Sequence, residues 1–160
     1  MKNKLDAESV EYPKEKLTTK AYIYGVIFSL ANRLQNQGDS RDETVTTKQW
    51  FALANIAMLD DFSLNVKQLA HIIGTSSQNT KKLVDLLIRK GYVEMQKDPE
   101  DKRNLRIALS KQGKEYYQER SIREEMYLEN LFEGLSENEV EQLHESLRLF
   151  SANVIKKEEK

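Results

Sequence analysis

The feature that most constrains the fold is a change in the spacing of apolar residues at Gly91. Before this glycine, residues 83–88 carry the apolar content of a helix. After it, apolar and other residues alternate over 92–96 and again over 105–109, which is the pattern of β-strands. The two alternating runs flank the charged stretch Lys97-Asp-Pro-Glu-Asp-Lys-Arg-Asn104, so they predict a β-hairpin with a charged turn directly after a helix.

Helices with clear start signals precede the hairpin. Thr46-Thr-Lys-Gln49 matches a capping box, in which a hydroxyl and an amide satisfy the free N–H groups of a helix start. Asn65 and Ser76 stand at the N-cap positions of a short helix over 66–73 and of a third helix, and Gly74 ends the short one. Helix, turn, helix and hairpin in this order predict a winged helix-turn-helix.

Longer helices flank this module on both sides. Residues 17–37 form one of them, and Gly38 stands at its C-terminal stop position before a polar loop. Residues 110–133 form a second, and Ser136-Glu-Asn-Glu139 is a capping box that opens a third. The fold class is therefore mainly α, with a small β-hairpin wing.

Composition excludes several classes of site. The 160-residue chain has no cysteine, so disulfides, thiol sensors and cysteine-based metal sites are excluded. It has no apolar run near the roughly 18 residues of a membrane span, and the polar residues 1–16, interpreted as a flexible N-terminus, lack a signal-peptide core. No phosphate-binding glycine loop or nucleophile motif is present. We therefore expect a cytoplasmic protein that is not an enzyme and needs no cofactor.

Charge is unevenly distributed along the chain. Residues 75–114 carry 10 basic and 5 acidic side chains, whereas residues 115–160 carry 6 basic and 12 acidic ones. A polyanion would thus be attracted to the middle of the chain and not to its C-terminal part.

The third helix begins with residue types that suit contact with DNA. In helix-turn-helix proteins the second helix of the motif enters the major groove with its N-terminal residues. Glutamine and asparagine can bond to adenine, serine and threonine are adaptable partners, and lysines neutralise phosphates. An ordinary polar helix start would show the same composition, so this alternative stays open. The candidate residues are Ser76, Ser77, Gln78, Asn79, Lys81 and Lys82.

The hairpin adds a second set of charges. Lys102, Arg103 and Arg106 could reach phosphates or a narrow minor groove beside the major-groove helix. A charged turn that is simply solvated is the alternative.

Residues 46–117 resemble the winged helix-turn-helix of the MarR family of bacterial transcription regulators. The likeness rests on Gln68-Leu-Ala-His-Ile-Ile-Gly-Thr-Ser76, on Lys82-Leu-Val-Asp-Leu-Leu-Ile-Arg-Lys-Gly-Tyr-Val-Glu94, and above all on Asp98-Pro-Glu-Asp-Lys-Arg103 with Leu109-Ser-Lys-Gln-Gly113. The resemblance implies that Arg103 enters the minor groove and that Asp101 holds it in place. Two positions depart from the family pattern: Met95 replaces a frequent arginine, and Thr80 replaces an aliphatic residue, which would loosen the packing of the helix.

The resemblance also implies a homodimer that binds an inverted-repeat operator. Residues 17–45 and 110–160 would form the helical dimerisation region, and residues 46–109 the DNA-binding region, with recognition helix 77–90 and wing 97–104. Apolar residues at spacings of three and four in the terminal helices fit a dimer seam. Packing of these helices within one chain is the alternative.

Many family members release DNA when a small phenolic or lipophilic ligand binds. Tyr24, Phe28 and Trp50 are candidate lining residues, although aromatic residues on amphipathic helices are more often core residues. His71 and His144 are expected on helix surfaces without clustered ligands, so no metal site is predicted. We therefore expect a DNA-binding transcriptional repressor. The alternatives are an activator and a winged-helix interaction module or antirepressor that binds no operator.

Overall fold

The computed structural model describes residues 18–60, 62, 64–98, 103 and 105–158, which divide into two compact units at the junction between Ser110 and Lys111. The helices and strands of the first unit are α1 (Thr19–Arg41), α2 (Thr47–Met58), α3 (Val66–Ile72), α4 (Ser77–Arg89), β1 (Val93–Lys97) and β2 (Leu105–Leu109). The second unit contains α5 (Lys111–Leu131) and α6 (Glu137–Glu158).

The predicted helix starts are confirmed in atomic detail. The main-chain N–H of Gln49 donates to the Thr46 hydroxyl at 3.4 Å, and the Gln49 side chain accepts from the Thr46 N–H at 3.4 Å. Asn65 caps α3 with a reciprocal pair of the same kind, and Ser136 does so for α6 with Glu139. Each cap satisfies N–H groups that have no partner inside the helix, so these starts are encoded by residues three positions apart.

The hairpin is antiparallel and runs in register from Val93 opposite Leu109 to Lys97 opposite Leu105. Its second strand also contacts the segment between α2 and α3, because the N–H of Ile107 donates to the carbonyl of Leu64 at 2.7 Å. The strand thereby belongs to the core of the first unit, whose largest fully buried aliphatic side chains are Val45, Leu53, Ile56, Leu69, Val84 and Leu87.

The prediction that α1 stops at Gly38 is wrong, since the helix continues to Arg41. A side chain at Gly38 would collide with the hydroxyl of Thr47. That hydroxyl donates to the carbonyl of Gln35 at 3.1 Å, and the Thr47 N–H donates to the Asp39 carboxylate at 2.6 Å. The bond from this N–H holds the pKa of Asp39 below its ordinary value. Gly38 is therefore needed for the close approach of α1 to α2 and does not end the helix.

The first and last helices bury none of their side chains within the chain. Their apolar faces are exposed instead, with side chains that are 39–49% exposed. These are Ile23, Leu30 and Leu34 on α1, and Leu143, Leu147, Phe150 and Val154 on α6. Within the described part of the chain, no helix has the length and apolar character needed to span a bilayer.

Candidate nucleic-acid interface

The turn between α3 and α4 is built from local hydrogen bonds. Gly74 adopts a positive φ of 66°, a conformation that side chains disfavour, and the N–H of Thr75 then donates to the carbonyl of Ala70 at 3.0 Å. Ser76 caps α4 by accepting from the N–H of Asn79 at 3.2 Å. The turn thus fixes the angle at which α4 leaves α3.

Thr80 is buried at the start of α4, and whether it loosens the packing of the helix stays a prediction. Its side chain is fully buried, and its hydroxyl donates to the carbonyl of Ser76 at 3.0 Å. Because the polar atom has a partner, the threonine carries no penalty for an unsatisfied buried group.

The start of α4 presents polar side chains to solvent. Ser77, Gln78, Asn79 and Lys82 are exposed. Among the residues that the structure describes, the side-chain amides of Gln78 and Asn79 have no intramolecular partner. Lys81 pairs with Asp85 at 3.1 Å, but its side chain remains 67% exposed. Amides that are held on a rigid helix and have no internal partner are suited to bond to base edges.

The other end of α4 is held by Lys90, a residue that sequence analysis did not single out. Its ammonium group donates to the carbonyl of Thr44 at 2.5 Å and to the side chain of Gln49 at 3.0 Å. Gln49 is itself buried and completes the capping box of α2. Lys90 therefore ties the C-terminal end of α4 to the start of α2, so both ends of the helix are fixed.

The described part of the wing consists of its two strands and, between them, Asp98 and Arg103, of which Arg103 is exposed. Asp101 and Lys102 lie outside the described residues, so the expected contact between Asp101 and Arg103 stays a prediction. Arg106 is different from Arg103: it is partly buried, and its guanidinium donates to the carbonyl of Asp60 and to the side chain of Gln96, each at 3.0 Å.

Met95, where the family often has an arginine, lies at an open apolar groove beside α4. Val66, Val84 and Ile88 form other parts of its lining. The substitution thus places an apolar side chain, and no extra positive charge, on this side of α4.

The candidate ligand-binding aromatics are not core residues of this chain. Tyr24 and Phe28 are 61% and 58% exposed, and their ring centroids lie 5.0 Å apart with an angle of 59° between the planes. Trp50, on α2, is half-buried. Tyr24 and Phe28 therefore form an exposed aromatic pair on α1.

Both histidines lie on helix surfaces, as predicted, but His144 is not isolated from other ligand types. Glu141 and Glu145, on the same face of α6, approach its Nδ1 to 3.8 and 3.7 Å. All three side chains are exposed. Spacings of three and four residues bring such groups together on any helix, so this cluster needs no ion to explain it.

Known proteins with similar sequences and structures have the same type of fold. A model of the MarR family matches residues 44–104. The transcriptional repressor MprA of Escherichia coli strain K12 is 26% identical over 99 residues, which cover 62% of this chain and 56% of MprA. The chain thus spans little more than half of the length of that relative.

Two solved structures show the likeness in three dimensions. A MarR/EmrR family transcriptional regulator from Acinetobacter sp. ADP1 matches with a TM-score of 0.77 and 23% identity, over 86% of this chain and 98% of that one. The S. aureus MepR–DNA complex matches with a TM-score of 0.70 and 22% identity, over 86% and 96%. These matches confirm the predicted winged-helix fold.

Proposed function

We propose, from the match of residues 44–104 to a model of the MarR family, that the protein is a DNA-binding transcriptional regulator. The observation that carries the proposal is the start of α4, where Gln78 and Asn79 are exposed, have no partner among the described residues and stand on a helix fixed at both ends. The MepR structure of the same fold was solved with DNA, which supports this use of the fold.

In the proposed complex, α4 lies in the major groove. Ser77, Gln78 and Asn79 contact base edges, while Lys81 and Lys82 neutralise phosphates. The wing places Arg103 in the adjacent minor groove, where the negative potential is concentrated. The excess of basic side chains in residues 75–114 supports the approach of DNA to this part of the chain.

We further propose that the functional unit is a homodimer. The support is that α1 and α6 each expose a row of large apolar side chains, because exposed apolar patches mark interaction surfaces. Two recognition helices related by a two-fold axis read an inverted repeat whose half-sites lie about one DNA turn apart.

The direct test is selection of bound fragments from random DNA. We expect enrichment of an inverted repeat with half-sites about 10 base pairs apart, centre to centre. The variant with Gln78→Ala and Asn79→Ala, selected in parallel, should lose this enrichment. Placed in a promoter, the selected site should lower expression of a reporter when the protein is present, as expected of a repressor. No enrichment by the wild type would favour a winged-helix interaction module instead, and higher expression would identify an activator.

A small phenolic or lipophilic effector is a second element of the proposal, supported by the exposed pair Tyr24 and Phe28. Trp50 is the only tryptophan, so its fluorescence reports on the surroundings of α2 without interference from another tryptophan. Titration with a panel of simple phenols should change this fluorescence in the wild type and not in the variant Tyr24→Ser/Phe28→Ser. An equal response in both proteins would exclude the aromatic pair as the ligand site.

A further inference from the structure

Arg106 connects three parts of the first unit. Its Nη1 donates to the main-chain carbonyl of Asp60, two residues beyond the end of α2, and its Nη2 donates to the side chain of Gln96, its partner across the hairpin. Both donor–acceptor distances are 3.0 Å. One guanidinium therefore bonds at the same time to the end of α2, through Asp60, and to β1, from its own position on β2.

An arginine is well suited to this position. Carbonyl groups just past the end of a helix lack helical partners and attract positive charge. The guanidinium is planar, and its donors point in fixed directions, so it can serve two acceptors on different elements. A lysine at Arg106 would supply the charge but not this fixed pair of donors.

The position along the hairpin gives the contact its effect. Gln96 and Arg106 form the pair next to the turn-side end of the ladder. The middle of the hairpin is held by Ile107, which bonds to Leu64, and the base by Ser110, which bonds to Tyr92. A two-stranded hairpin is only marginally stable without further packing. The turn-side half of the wing therefore depends on Arg106 for its attachment to α2.

We propose that Arg106 is a positioning residue for the wing and makes no direct contact with DNA. Its bonds to Asp60 and Gln96 set the direction, relative to α4, of the turn that carries Arg103. Lys90 ties α4 to the start of α2, so the wing and α4 are both attached to α2. This inference rests on the proposed DNA-binding function. Without Arg106, the wing would have to be ordered during binding, which lowers affinity.

A double-mutant cycle on the selected DNA site tests the proposal. Gln96→Ala and Arg106→Ala should each weaken binding about tenfold, and the double variant should bind as weakly as Arg106→Ala alone. Gln118→Ala, at an exposed glutamine of α5, is the matched control. It should not change the affinity for DNA, either in the wild type or in Arg106→Ala. Additive losses for Gln96 and Arg106 would overturn the proposal.

Salt dependence and a lysine variant separate positioning from a phosphate contact. We expect Arg106→Lys to bind as weakly as Arg106→Ala, and the dependence of affinity on salt to be the same for Arg106→Ala and Gln96→Ala. If Arg106 contacted a phosphate directly, Arg106→Lys would recover affinity relative to Arg106→Ala. The slope of log affinity against log salt concentration would also fall by about one unit for each lost contact, in Arg106→Ala but not in Gln96→Ala. Either of these results would contradict the positioning role.

Amide hydrogen exchange of the free protein provides a readout that needs no DNA. In Arg106→Ala and Gln96→Ala, exchange should become faster near the turn, at the cross-strand bonded amides of residues 96 and 106, and stay unchanged at those of Glu94 and Ala108. Unchanged exchange near the turn would overturn the role of Arg106 whether or not DNA binds. Failure of the wild type to select any DNA, with faster exchange in the variants, would instead remove the proposed function and leave Arg106 as an anchor of the hairpin only.

Discussion

Glutamate at both Leu143 and Leu147 is expected to convert the protein to monomers and to weaken binding of the full inverted repeat by about 100-fold or more, because the avidity of two linked recognition helices is lost. The two leucines lie on one face of α6 and are 41% and 47% exposed in the single chain. In a dimer they would be covered, and burial of unpaired carboxylates is costly. Sedimentation velocity gives the oligomeric state, and titration of DNA gives the affinity.

A matched control uses the opposite side of the same helix. Leu149 lies about 200° around the helix from Leu147, and Ala152 is on the same side as Leu149. Leu149→Glu combined with Ala152→Glu adds the same number of charges and should leave the dimer intact. A dimer that persists with glutamate at both Leu143 and Leu147 would refute the seam on α6.

Alanine at Gln78 or Asn79 is expected to cost about 1–3 kcal/mol of binding free energy for each half-site, and up to twice that for a symmetric dimer on a full operator. Each amide would lose its hydrogen bonds to a base edge, whereas the cap of α4 would remain, because Ser76 bonds to the main-chain N–H of residue 79. Binding to random DNA should change much less. Competition between the selected site and random DNA measures the difference.

Two controls accompany this comparison. Gln118→Ala removes an exposed amide from α5 and should not alter either affinity. The melting temperature of the Gln78 and Asn79 variants should stay close to that of the wild type, because both side chains are exposed and alanine is favourable in helices. Equal losses on the selected site and on random DNA would mean that these residues contact only the backbone.

Much of the helix-turn-helix could be predicted from local sequence. The caps at Thr46, Asn65 and Ser76 and the positive-φ glycine at Gly74 lie where the pattern indicated. Gln78 and Asn79, which the sequence indicated as candidates for contact with DNA, are exposed at the start of α4. Their contacts with DNA are proposals that depend on this geometry.

Gly38 shows why a local signal can fail. A glycine after an amphipathic segment commonly marks the end of a helix. Here the helix continues, and the absence of a side chain serves the approach of Thr47 from α2. The sequence around Gly38 holds no sign of this neighbour, because the close approach depends on the packing of two helices.

The amino-acid sequence by itself determined where helices and strands begin, because a cap or an alternating strand acts over a few residues. Only the tertiary structure decided what the long cationic side chains contact. Lys90 bonds to residues 41 and 46 positions away, and Arg106 bonds to Asp60, 46 positions away. Lysine and arginine have long, flexible side chains with a charge at the end, so their direction depends on which carbonyl groups the fold brings within reach. For this reason Arg106 and Arg103 look alike in sequence but have different surroundings in the folded chain.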